Sequence, residues 1–155
     1  MISPELLRHY PFFGLLDDPQ LNKIAMLAEE KRYQRGSIVF REGKPATALY
    51  FLLEGSVDLY YTLGGLKHDV VEKGISVGEI NPGEPFGISA LIEPHLLTST
   101  ASVSVDSRAI EIDAAALRSL FEDDRRMAYL FIHQAARSAL ERLNSTRVQL
   151  AAAWV

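Results

Sequence analysis

The 155-residue chain contains no cysteine, which excludes disulfides, thiolate metal sites, iron–sulfur clusters and thiol catalysis together. It also lacks an excess of positive charge. Sixteen Lys and Arg against 20 Asp and Glu leave a formal net charge of -4, which offers no electrostatic footprint for a polyanion such as DNA. No window approaches the ~20 apolar residues of a membrane span. The opening MISPELLRHYPFF lacks the basic and apolar regions of a secretory leader. The reducing cytoplasm is therefore the expected compartment, with no membrane partner and no direct DNA contact. Catalytic signatures are missing as well: there is no G-x-S-x-G and no Walker loop. His9, His68, His95 and His133 are scattered without the HxxH or HExxH spacing of metal ligands, so no metal and no cofactor are expected. Glu29-Glu30 and Asp123-Asp124 are sequence neighbours, which on a helix do not face one point. A non-enzymatic protein is expected.

What is present is a core-forming composition, 48% hydrophobic, enough for one ordinary domain. Ser3-Pro4-Glu5 has the grammar of a helix start, a hydroxyl cap followed by proline and an acid, and predicts a short helix to about Arg8. Asp18-Pro19-Gln20 repeats that grammar. Leu21, Ile24, Leu27 and Ala28 follow at helical spacing, predicting a helix that ends near Glu29 or Glu30. Phe12 and Phe13 between the two helices are expected to anchor them on the core.

From Lys31 the period changes to two. Ile38 and Phe40 alternate with Ser37 and Val39, a buried strand is predicted over Leu49–Leu53, and an alternating one follows with Val57, Leu59 and Tyr61 inward. Gly64-Gly65 predicts a hairpin turn, two short strands are expected around Gly74, and ASVSV and AIEID predict two more after residue 100. About eight short strands with glycine turns indicate a β-sandwich, roll or barrel.

Asp113 predicts the cap of a short helix, AAALRSLFED. Asp123-Asp124 open a helix running to the end, roughly 30 residues or about 45 Å. Ile132, Ala136, Ala139, Leu143, Thr146, Leu150 and Ala153 recur by fours and threes along it, the pattern of a coiled-coil seam. That helix either packs on its own domain or forms a dimer seam, and its length favours the homodimer. The organisation expected is a β-roll unit with N-terminal helices over residues 1–122 and a dimerisation helix over 123–155.

G36-SIVFREG43, LYFLLEG55-SVDLY, I80-NPGEPFG87 and ASV at 101–103, in this order and followed by a short and a long helix, resemble the cyclic nucleotide-binding domain superfamily in its Crp/Fnr effector form. The resemblance covers the chain from about Pro11 onward. It implies a mainly β fold with flanking helices, a double-stranded β-helix of the jelly-roll or β-roll type. It further implies that the segment after Phe-Gly is a phosphate-binding cassette, in which a short helix directs free N–H groups at a cyclic phosphate. The family pattern runs Phe-Gly-Glu-x-Ala-Leu and then Arg-Ser/Thr-Ala, the glutamate taking a ribose hydroxyl and the arginine the phosphate.

Phe86 and Gly87 match that pattern, as do Ala90 and Leu91, but Ile88 stands at the glutamate position. Aligning Ala101 places Ser99, flanked by Thr98 and Thr100, at the arginine position. Loss of both polar contacts implies a weakening of roughly two to four orders of magnitude toward cyclic AMP or cyclic GMP. Ser89, Thr98, Ser99 and Thr100 still supply hydroxyls, so three states stay open: a plugged pocket, a different small ligand, or weak cyclic nucleotide binding. Asn144, with Ser145, is the polar candidate on the long helix to approach the pocket. A regulatory sensor domain, dimeric, with a small-molecule or protein partner, is expected. The alternative is the effector domain of a DNA-binding Crp/Fnr regulator that takes a cyclic nucleotide or another ligand. In such regulators a helix-turn-helix domain follows the dimer helix, and the 155 residues leave no room for one.

Overall fold

The computed structural model describes residues 1–62 and 74–155, so Gly64-Gly65, His68 and the first strand expected near Gly74 lie outside the described residues. Helix α1 (Pro4–Arg8) starts where Ser3 accepts the Glu5 N–H, at 3.2 Å. Helix α2 (Asp18–Leu27) begins one residue earlier than its Asp-Pro signature suggests. Asp17 is the cap: its carboxylate accepts from the Gln20 N–H at 2.9 Å, and the Gln20 side chain accepts from the Asp17 N–H at 3.0 Å. This capping box satisfies two otherwise orphaned donors. The helix ends at Leu27, short of Glu29, because Ala28–Tyr33 forms strand β1 and pairs antiparallel with Ser107–Ile112. A full ladder outweighs the weak helix preference of Glu and Lys there.

The remaining described strands are β2 (Ile38–Phe40), β3 (Ala48–Tyr61), β4 (Ile75–Ile80), β5 (Pro85–Phe86) and β6 (Thr100–Asp113). All pairings are antiparallel, in the path β1-β6-β3-β4, with β2 on β6 and β5 on β3. The fold is the expected mainly antiparallel roll with flanking helices, but two pairs of short strands are each fused. Leu49–Leu53 and Val57–Tyr61 belong to one 14-residue strand, as do ASVSV and AIEID. Bulges between Leu52 and Val57 bend β3 without breaking it. At the bend Gly55 has φ +102, and a Cβ there would stand 2.1 Å from the Ser107 hydroxyl, so glycine is required.

Ala48–Leu53 is buried at every position because both faces of β3 are covered. Leu49, Phe51 and Leu53 face the helices, whereas Tyr50 and Leu52 face the interior of the roll with Val57, Leu59 and Phe86. Tyr61, expected inward, is 45% exposed. Helix α3 (Ala114–Asp123) is capped by Asp113, which accepts the Ala116 N–H at 2.8 Å.

Helix α4 (Arg125–Ala153) spans 29 residues without interruption, about 43 Å at 1.5 Å per residue. Met127, Phe131 and Ala135 are its buried side chains. Phe131 meets Phe12 edge-on at 5.2 Å and Phe121 at 5.4 Å, and Phe12 and Phe13 both pack on Phe51. Gln134 adds donations to the carbonyls of Pro11 and Phe12, at 3.1 and 3.3 Å. Among the described residues no helix is long and apolar enough to cross a membrane.

Asp124 caps α4, accepting the Met127 N–H at 2.9 Å and the Gln20 amide at 3.2 Å, and these bonds hold its carboxyl below its ordinary pKa. A depressed acid stabilises the fold above its ordinary pKa and loses that contribution as pH falls through the lowered value. Asp124→Ala is expected to lower the Tm at pH 7 relative to the native protein. That gap should narrow as pH is taken below the normal carboxylate range in a thermal denaturation series. A gap constant from pH 7 to pH 2 would refute the linkage.

Candidate functional site

The cassette segment forms a tight corner. Gly87 sits in the left-handed region at φ +72, and Ile88–Leu91 follows as a single 3-10 turn. Ala90 and Leu91 point into the helix-side core and are buried there. Phe86 is fully buried and stacks on Tyr50 at 5.2 Å, while Phe40 closes on Tyr50 at 5.5 Å. Burial, aided by Glu111, pushes the Tyr50 hydroxyl up to about 12, so this aromatic floor is uncharged at neutral pH.

Between this corner, β3, β4 and α4 lies a cavity of about 390 Å³. The cassette side contributes Gly87, Ile88, Ser89, Leu97, Thr98 and Ser99; the strands contribute Phe40, Leu59, Tyr61 and Val77. Ile88 and Ser99 therefore both line the cavity. Thr100 and Ala101 do not line the cavity. The Thr100 hydroxyl accepts the Glu42 N–H at 3.0 Å, and Ala101 is fully buried on β6 against Leu59. Asn144 is exposed on α4 and is not part of the lining.

Helix α4 supplies the opposite wall through Ala139, Arg142, Leu143 and Thr146. Thr146 turns toward β4, its hydroxyl at 2.9 Å from the Arg142 carbonyl and 3.3 Å from that of Val77. Arg142 is the residue that motif reasoning missed. Its Nη2 donates to the Pro85 carbonyl at 2.8 Å, and its Nε is buried with no partner among the described residues. No carboxylate of the described residues lies within salt-bridge distance of it. Burial lowers the guanidinium pKa from its ordinary value, with Glu84 opposing the shift, but arginine keeps its proton. The signal available in the sequence was spacing: position 142 lies on the same face as Phe131, Ala135 and Thr146, where a charge is out of place.

The profile of the cyclic nucleotide-binding domain matches residues 30–124, well over half of the chain. The chain belongs to this family. A protein of Geobacter metallireducens GS-15, classed as cyclic nucleotide-binding, has a crystal structure with a TM-score of 0.81 and 38% identity, covering 92% of this chain and 99% of that one. The CRP-like cAMP-activated global transcriptional regulator of Mycobacterium tuberculosis is 28% identical over 140 residues, 88% of this chain but 59% of that protein. A Rhodopseudomonas palustris protein classed as a potassium channel is 28% identical over 128 residues, 29% of its length. The chain thus spans under two thirds of these curated relatives. The sensor domain of the transcriptional regulator DNR from Pseudomonas aeruginosa shares the fold at 20% identity and a TM-score of 0.68.

Within this family fold the position of the cassette turn rests on Gly87. A Cβ there would stand 3.0 Å from the Tyr50 ring and 3.4 Å from the Ala48 carbonyl, in a backbone region that costs an L-residue about 1–2 kcal/mol. Gly87→Ala is expected to lower stability by at least that amount in urea unfolding. Unchanged stability would show that the turn has another accessible conformation.

Proposed function

We propose that this cyclic nucleotide-binding domain is a non-catalytic sensor whose cavity does not hold cyclic AMP or cyclic GMP tightly, and whose long helix relays occupancy to a second copy of the chain. The observation that carries this reading is that α4 contributes Ala139, Arg142, Leu143 and Thr146 to the cavity wall. Any molecule entering the cavity touches the helix, so its binding energy can bias the helix position. The isoleucine and serine on the cassette wall support weak cyclic nucleotide affinity, because neither replaces the lost acceptor nor the lost cation. The lining offers hydroxyls and one arginine but no acid and base couple, which supports sensing over catalysis.

The homodimer reading draws on the exposed side of α4. Of the expected seam, Ile132, Leu143 and Leu150 are 38%, 45% and 60% exposed, whereas Ala139 and Thr146 line the cavity. Leu140, 58% exposed and not among the expected seam residues, joins the stripe, which with Ala136 spans about a quarter of the helix circumference. Leu143 belongs to both the stripe and the cavity wall, which would couple dimerisation to ligand occupancy. Every residue from Arg147 onward is exposed, so the last turns bury no side chain on the described residues. The reducing cytoplasm fits the absence of cysteine. A second reading, the effector segment of a DNA-binding regulator, is favoured by the Mycobacterium tuberculosis relative, which extends well beyond the matched region. Under that reading DNA contact would fall to other residues, since this segment carries a net charge of -4.

Two measurements test the proposal. In a thermal-shift titration, micromolar cyclic AMP and cyclic GMP should leave the native protein unmoved and stabilise the Ile88→Glu, Ser99→Arg double variant by about 2.7 kcal/mol at a hundredfold excess over Kd. Stabilisation of the native protein at micromolar nucleotide would overturn it. In light scattering the native chain should be dimeric and the Leu143→Asp, Leu150→Asp variant monomeric; a native monomer would remove the relay.

A further inference from the structure

Among the described residues the cavity is charged at one point. Its walls are apolar on the strand side, with Phe40, Leu59 and Val77, and carry the hydroxyls of Ser89, Thr98 and Ser99 on the cassette side. Among the described residues no carboxylate belongs to the lining and Arg142 is its one ionised group, with Glu84 acting on it from outside the lining. A guanidinium has five donors arranged to grip a planar anion. In Arg142 one of them is spent on the Pro85 carbonyl, and the buried Nε has no partner among the described residues. A half-buried guanidinium with donors beyond the one given to Pro85, beside a largely apolar cavity, is suited to an anionic partner.

We propose that the cavity binds an amphipathic monoanion, a carboxylate carried on an apolar body, with Arg142 of α4 as its anion partner. This rests on reading the cavity as a ligand site and names the ligand class. The carboxylate takes Arg142, the hydroxyls of Thr98 and Ser99 approach it from the cassette side, and the apolar body lies against Leu59 and Val77. A cyclic nucleotide suits these walls less well, since its ribose hydroxyl would meet Ile88 where an acceptor is needed. At about 390 Å³ the chamber is near the lower end of small-molecule sites, fitting a compact ligand. The arginine reaches in from the helix and not from the cassette, so the anion would pull directly on α4 and exchange the neutral Pro85 carbonyl for an oppositely charged partner.

The test is isothermal titration calorimetry of the full chain with octanoate and phenylacetate, beside their uncharged amides and cyclic AMP. The native protein, Arg142→Gln, Arg142→Lys and the Ile88→Glu, Ser99→Arg variant are compared, each checked for folding by circular dichroism. The expected result is carboxylate binding at least tenfold tighter than amide binding. That preference should be lost in Arg142→Gln and kept in part by Arg142→Lys, which retains the charge. Equal binding of acid and amide, or equal binding of acid by the native protein and Arg142→Gln, overturns the proposal. Native protein that binds cyclic AMP and neither carboxylate also overturns it, while leaving the cavity as a ligand site. If the native protein ignores all probes but the double variant binds cyclic AMP, the cavity is accessible and only the ligand class is wrong. If the double variant is silent too, the ligand-site reading falls with it.

Discussion

The burial of Phe131 fixes the geometry of the whole site. This one side chain holds the first half of α4 in an aromatic cluster with Phe12, Phe13 and Phe121, which in turn rests on Phe51 of β3. Each such aromatic contact adds about 0.5–1.5 kcal/mol beyond area burial, so the helix is firmly seated where it leaves α3. From that anchor the helix has no freedom in what it presents. At 3.6 residues per turn, the position three turns on from Phe131 returns to the same face, and this is Arg142, with Thr146 one turn beyond it. The roof of the cavity is set by packing 11 to 15 residues away from it.

The two halves of α4 are held very differently. Met127, Phe131 and Ala135 are buried, whereas beyond Ala135 no apolar side chain of the helix is buried. Its second half touches the roll through hydrogen bonds to the carbonyls of Pro85 and Val77. Local opening is least costly where apolar burial is least, so this half is the segment that can shift while the first stays seated. Arg142 lies where the firm attachment has ended, at the junction of roll, cassette and helix, and its partial desolvation makes it sensitive to what occupies the cavity.

Much of the fold was legible because its signals are local. Caps at Ser3, Asp113 and Asp124, the alternation in β3 and the glycine at 87 each depend on neighbours within a few residues. The errors came where distant partners decide. α2 stops at Leu27 because β6 waits to pair with Ala28–Tyr33, and pairs of strands read as separate are continuous because a bulge at Gly55 lets β3 bend. At the candidate site Ile88, Ser89, Thr98 and Ser99 line the cavity, whereas Thr100, Ala101 and Asn144 do not.

The sequence by itself determined the family and the roll with its long helix, since both are written in contiguous motifs. Only the tertiary structure decided that an arginine faces the cavity after all. Arg142 lies 57 residues from the carbonyl it bonds, on a helix whose rotation about its axis is fixed by Phe131 in the distant core. No short motif carries that rotation, because it is a property of how the helix packs and not of the residues that surround Arg142 in the chain.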